Sequence, residues 1–113
     1  MSTEGTKGGS MITRQGITSS GVKTEDGVIT TAGKAGLLYG YNFKVGTSAS
    51  SFLLKDGGSG GTILVQDFNV AVTAAGDVTK TVIFPEPIVF ATDIFLDIGG
   101  TNATGVVFYK QID

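Results

Sequence analysis

The sequence predicts an all-β chain folded as a single-domain β-sandwich, jelly-roll-like, with about eight strands and an extended N-terminal arm. Three observations lead there. Apolar side chains recur at period two in short runs, the pattern of half-buried strands. Glycine, 18 of 113 residues, punctuates those runs at the roughly 8–12-residue spacing of sandwiches and jelly rolls. No segment carries a helical stripe. The length suits one domain, with residues 1–16 as a flexible or partner-ordered arm and residues 17–113 as the sandwich. A chain of this size hides roughly 65% of its unfolded surface, enough for a modest core.

The arm holds Gly5, Gly8, Gly9, Ser2, Thr3, Thr6 and Ser10, with Met11 and Ile12 as its consecutive apolar pair. Alone, such a segment buries too little to offset its ordering entropy. It either stays unfolded, as termini commonly do, or orders on a neighbouring subunit.

Short strands are expected near residues 17–23 and 28–31. The most secure strand covers residues 37–45, where Leu37, Tyr39, Tyr41, Phe43 and Val45 alternate with Leu38, Gly40, Asn42 and Lys44, which predicts five apolar groups on one face. Residues 51–56, through Phe52 and Leu54, form the next strand. Gly57-Gly58-Ser59-Gly60-Gly61 then forces a reversal, because glycine reaches positive φ without steric cost. Residues 62–70 return as the second strand of that hairpin, and residues 78–84 follow a turn at 74–77. Pro85 and Pro87 lack N–H donors, so residues 84–87 belong at an edge or corner, and the chain is expected to change sheet there. Ile94, Leu96 and Ile98 share one face. A glycine-bounded loop at 99–105 leads into a last strand at 106–112.

Composition narrows the function. Hydrophobic residues make up 41% and charged residues 16%, below the roughly 25% charged fraction of average soluble domains. Ile63 with Val65, Phe95 beside Ile94 and Leu96, and Val107 with Tyr109 are read as a surplus of apolar positions that leaves several strands apolar on more than the core face. A sandwich in water shows one polar face per strand, so the surplus predicts outer faces covered by other chains and therefore a homo-oligomer. Net charge is −2 and no two basic residues are adjacent, unlike the clustered Lys and Arg that neutralise phosphates; no nucleic-acid partner is expected. The N-terminal stretch has no apolar core, and nowhere do 18 apolar residues run together, so neither a secretion signal nor a membrane span is expected.

Histidine and cysteine are absent, which removes the commonest general base, the thiol nucleophile and the usual transition-metal ligands. No catalytic residue, cofactor or metal is predicted. Asp93 and Asp97, at ~3.3 Å per residue along one strand, stand ~13 Å apart, beyond the ~5–9.5 Å of paired glycosidase carboxylates; they read as two solvated charges on an outer face. Asp97, Thr101, Asn102 and Thr104 cluster oxygens without matching a calcium loop. The glycine run at 57–61 lacks the Gly-Lys-Ser/Thr ending of a phosphate loop. Tyr39, Tyr41 and Tyr109 could stack on sugars, but Tyr39 and Tyr41 fall on the predicted core face, which favours burial.

Residues 35–56 (AGLLYGYNFKVGTSASSFLLKD) and 84–110 (FPEPIVFATDIFLDIGGTNATGVVFYK) resemble small β-sandwich structural proteins of tailed bacteriophages, in particular head-decoration or cement proteins. The likeness spans roughly residues 28–112 and consists of patterned strands and turns. It implies a sandwich or jelly roll, often trimeric, on the virion's capsid surface, bound between capsomers to the major capsid protein and reinforcing the shell. In that setting Met11, Ile12 and Arg14 are the expected arm contacts, and Phe95, Val107 and Tyr109 the expected subunit faces. The alternative is a tail- or fibre-associated adhesion module that binds host glycans.

Overall fold

The computed structural model describes residues 16–74 and 78–112. Eight strands follow one another: β1 (Thr18–Ser19), β2 (Gly27–Val28), β3 (Gly36–Lys44), β4 (Ser50–Asp56), β5 (Thr62–Asn69), β6 (Thr79–Phe90), β7 (Phe95–Gly99) and β8 (Thr104–Gln111). All pair antiparallel, in two four-stranded sheets ordered β1-β8-β3-β6 and β2-β7-β4-β5. Strand one thus lies beside eight, two beside seven, three beside six and four beside five. The second half of the chain retraces the first as an antiparallel ribbon rolled into two layers, which is the connectivity of a jelly roll. The expected all-β sandwich of eight strands is therefore what the chain adopts, while the expected arm lies, apart from Gly16, outside the described residues.

The two layers meet through Phe43, Leu38 and Val107 from one sheet and Phe52, Leu54 and Leu96 from the other, all without solvent exposure. Tyr41 stacks on Phe52 across the interface with ring centroids 4.7 Å apart, and Phe43 meets the same ring at 5.3 Å. These are favourable separations for aromatic pairs.

The first two strands are shorter than expected, two residues each. Serine hydroxyls compete for the ladder here: Val107 N–H donates to Ser20 Oγ at 2.8 Å, and Gly21 N–H to Ser19 Oγ at 3.2 Å. Beyond β1 the pairing survives as a single bridge between Lys23 and Gly105.

The central strand departs from simple alternation. Leu38 and Gly40 of β3 face the adjacent residues Tyr109 and Phe108 of β8, so β3 carries one extra residue there, a β-bulge. A bulge reverses the parity of what precedes it. Tyr41, Phe43 and Val45 point inward as expected, whereas Leu38 takes the buried place and Leu37 and Tyr39 turn outward. On the other side of β3 the register jumps from Ile88 to Ile83 of β6, and the displaced residues 84–87 hold both prolines. β6 lies at the sheet edge and pairs with β3 both before and after them. The edge is as expected, but the chain does not change sheet: the bulge absorbs the residues that cannot donate, and the ladder resumes.

Carboxylates tie the loops. Asp56, at the end of β4, accepts from the N–H groups of Ala91, Thr92 and Asp93 at 2.7, 2.8 and 3.3 Å. Asp93 in turn accepts from Gly57 and Gly58, both at 3.1 Å. Gly57 and Gly58 hold φ of 102° and 84°, a conformation that turns their N–H groups away from the ladder toward this acceptor. Asp93 is consequently buried, which corrects the expectation of a solvated charge. Burial alone would raise the Asp56 pKa; its three backbone donors outweigh that and hold it below the ordinary value.

Between the sheets, Asp67 of β5 accepts from Tyr41 Oη at 3.0 Å and from Lys80 Nζ at 2.8 Å. This links the edge strands β5 and β6, which belong to different sheets. Burial, the bond to Asp67 and the nearby negative charge push Tyr41 up to about 12. For Asp67, burial is outweighed by bonds from Lys80 and Tyr41 and by the Lys80 charge, which hold its carboxyl below the ordinary value.

Candidate interaction surfaces

The inner faces of both sheets are consumed by the core, so any site for a partner lies on the outer faces, at the strand edges or in the loops. On the β1-β8-β3-β6 sheet, the parity set by the bulge sends Tyr39 outward. There it lines a groove of ≈ 370 Å³ with Ile17, Ile83 and Phe108. Ile83 is 63% exposed, and Val89, opposite Leu37 on the same face, is 67% exposed. Residues from β3, β6 and β8, and the residue just before β1, thus converge on one apolar strip.

The outer face of the β2-β7-β4-β5 sheet is mixed. Phe95 points outward between its register partners Val28 and Lys55, and Phe68 on the edge strand β5 is 60% exposed. Leu53 lies between Gln66 and Asp97 in the register. Lys55 Nζ reaches Asp97 Oδ2 at 3.1 Å, a pair exposed enough to contribute only modestly to stability. Asp97 is thereby committed to a lysine on its own sheet face, away from the Thr101–Asn102–Thr104 loop with which it was grouped. Among the described residues, no three His, Cys, Asp or Glu side chains gather as metal ligands, and no helix is long and apolar enough to cross a membrane.

Of the expected contact residues, Met11, Ile12 and Arg14 lie outside the described residues. Phe95 is outward-facing and half-buried. Val107 is 0% exposed, a correction: it stands opposite Tyr41 in the register, inside the aromatic core, and a fully buried side chain cannot form a subunit face. Tyr109, two residues along, shares that inward face and packs against the core. The outward residue of this strand is Phe108, which sequence reasoning passed over. The run Val106-Val107-Phe108-Tyr109 is apolar at every position, so periodicity within it carries no signal of which face is which. Tyr39 is likewise corrected from core to surface, while Tyr41 is buried as expected.

No family model, curated protein or solved structure matches this chain. Function therefore rests on what the surfaces themselves can do.

Proposed function

We propose that this domain is a virion structural protein that decorates and stabilises a bacteriophage capsid by binding between capsomers, without catalysis. The observation that carries the reading is the apolar strip on one outer face, together with outward Phe68 and Phe95 on the mixed face of the other sheet. Phe43, Phe52, Phe90, Leu38 and Leu54 are fully buried in the core, whereas Ile83, Val89, Phe68 and Phe95 point away from it. Apolar surface gains about 25 cal/mol for each Å² removed from water, and neighbouring polypeptides are the natural means of removing it. The jelly roll itself recurs in viral capsid proteins and lectins, which supports the setting without assigning the function. The mechanism is mass action: a protein that binds only the assembled shell stabilises it by an amount that grows with the logarithm of its concentration relative to Kd.

The glycan-binding alternative gains outward-facing, half-buried aromatic rings at Tyr39 and Phe108, but the groove they line offers one hydroxyl, that of Tyr39, where a sugar requires several polar partners. The capsid reading is tested by cosedimentation with assembled heads of the parent phage and with the unassembled major capsid protein. Binding to heads alone is expected, weakened about tenfold or more by Phe68→Asp or Phe95→Asp. Failure to sediment with heads, or binding to free sugars, would sink it.

A further inference from the structure

We propose that the outer face of the β1-β8-β3-β6 sheet docks an extended, acidic polypeptide segment, taking a carboxylate at Lys44 and an apolar side chain in the groove of Tyr39, Ile83 and Phe108. Strand parity puts these groups on one face. Lys44 stands opposite Thr104 and next to Phe43, whose burial sends Lys44 outward. Thr104, Phe108 and Lys110 share that outward side of β8, along which no extra residue interrupts the alternation. The bridge from Lys23 to Gly105 brings Thr24 beside Thr104, and Thr24, Lys44, Asn102 and Thr104 line a second hollow of ≈ 460 Å³. An ammonium group, two hydroxyls and an amide there can all donate to a carboxylate. Thr104 lies four residues, ~13 Å along β8, from Phe108 in the apolar groove. Lys110 follows two residues beyond Phe108, opposite Leu37.

Charge selects the occupant. The chain carries a net charge of −2, yet the charged side chains that the ladder turns outward on this face are Lys44 and Lys110. Carboxylates are held elsewhere: Asp67 between the sheets, Asp56 and Asp93 on loop N–H groups, Asp97 by Lys55. Glu86 falls in the displaced stretch 84–87, outside the paired ladder. Neither Lys44 nor Lys110 forms an ion pair among the described residues. A second copy presenting the same face would set lysines against lysines, whereas an acidic segment neutralises them while covering the apolar strip. An extended segment lying along β8 repeats its period, so carboxylates six residues apart, ~20 Å, meet Lys110 and Lys44, with an apolar residue between them at the groove. The site requires only such a segment and stands whether or not its owner belongs to a capsid.

NMR titration of the isotope-labelled full chain with the end-blocked heptapeptide Glu-Ser-Phe-Ser-Leu-Ser-Glu tests this. Saturable shifts at Tyr39, Phe108, Lys44 and Thr104 are expected, with affinity falling as salt is raised and about fivefold or more lower in the double variant Lys44→Glu, Lys110→Glu. That variant is expected to take up the swapped peptide Lys-Ser-Phe-Ser-Leu-Ser-Lys, which the wild-type chain does not, a gain that misfolding cannot produce. The absence of saturable shifts with the acidic peptide, or binding indifferent to the charge reversal, overturns the proposal. Shifts at these residues with vesicles of phosphatidylserine and phosphatidylcholine but not with the peptide overturn it in favour of a lipid surface. Shifts that appear there on concentrating the protein alone overturn it in favour of a second copy.

Discussion

Asp67 shows how one side chain can join two layers. It leaves β5 inward, opposite Phe52 in the register, and receives Tyr41 and Lys80 from the other sheet. Asp67→Asn removes the charge that both donors face, and a cost of about 1–3 kcal/mol is expected from charge-assisted bonds; the lower end applies because Lys80 is partly open to water. Urea denaturation measures it. The pH dependence follows from the directions of the shifts. The Asp56 and Asp67 carboxyls titrate below their unfolded value near 3.8, so their stabilisation is present above that value and is lost as pH falls through the lower folded pKa. Tyr41 titrates near 12 rather than 10, so its stabilisation is complete below 10 and is lost as pH climbs toward 12. Tyr41→Phe is expected to flatten the alkaline limb and Asp67→Asn the acid limb; unchanged profiles by circular dichroism would refute the link.

Among the elements, β3 decides the surface. Its bulge turns Tyr39 outward and creates the groove, and it depends on the close approach of Gly40 to β6. A Cβ at Gly40 would lie 2.3 Å from the Val82 carbonyl oxygen, which neither backbone can relieve without shifting. Gly40→Ala is expected to destabilise by about 1–3 kcal/mol, as overpacking does, and to perturb the chemical shifts of Tyr39 and Phe108. Gly60, in the turn between β4 and β5, has open space at its Cβ position and no positive φ. Gly60→Ala should change stability by no more than ~0.5 kcal/mol. Equal effects at the two sites would remove the bulge from this account. The β4–β5 hairpin was legible in the chain because its strands and its glycine run are contiguous; the sheet-edge position of Pro85 and Pro87 was legible because a missing N–H is a local property. That the edge strand continues past them was not, since it depends on how β3 absorbs the register jump.

For the whole molecule, the jelly roll leaves apolar side chains on both outer faces, and association is the expected consequence. Static light scattering should give a mass above that of the 11.6 kDa chain, with Phe68→Asp or Phe95→Asp shifting it toward the monomer; a single-chain mass at every concentration would count against covered faces. Which aromatic side chains face outward was only partly legible. Phe95 could be placed outward because its neighbours Ile94 and Leu96 claim the core, but Val107 and Tyr109 were assigned to the wrong side, and Phe108 was missed, in a run with no polar residue to mark its faces.

By itself the sequence determined the all-β class, the positions of most strands and the absence of histidine and cysteine chemistry. Strand periodicity, glycine turns and residue inventory are properties of neighbouring residues or of composition, and they survive without knowledge of the fold. Only the tertiary structure decided which sheet each strand joins, that Leu38 rather than Tyr39 is buried, and that Val107 rather than Phe108 faces the Tyr41–Phe52 stack. Side chains alternate with period two, so one extra residue in β3 exchanges inside for outside, and that extra residue exists only in relation to partners far away in the chain.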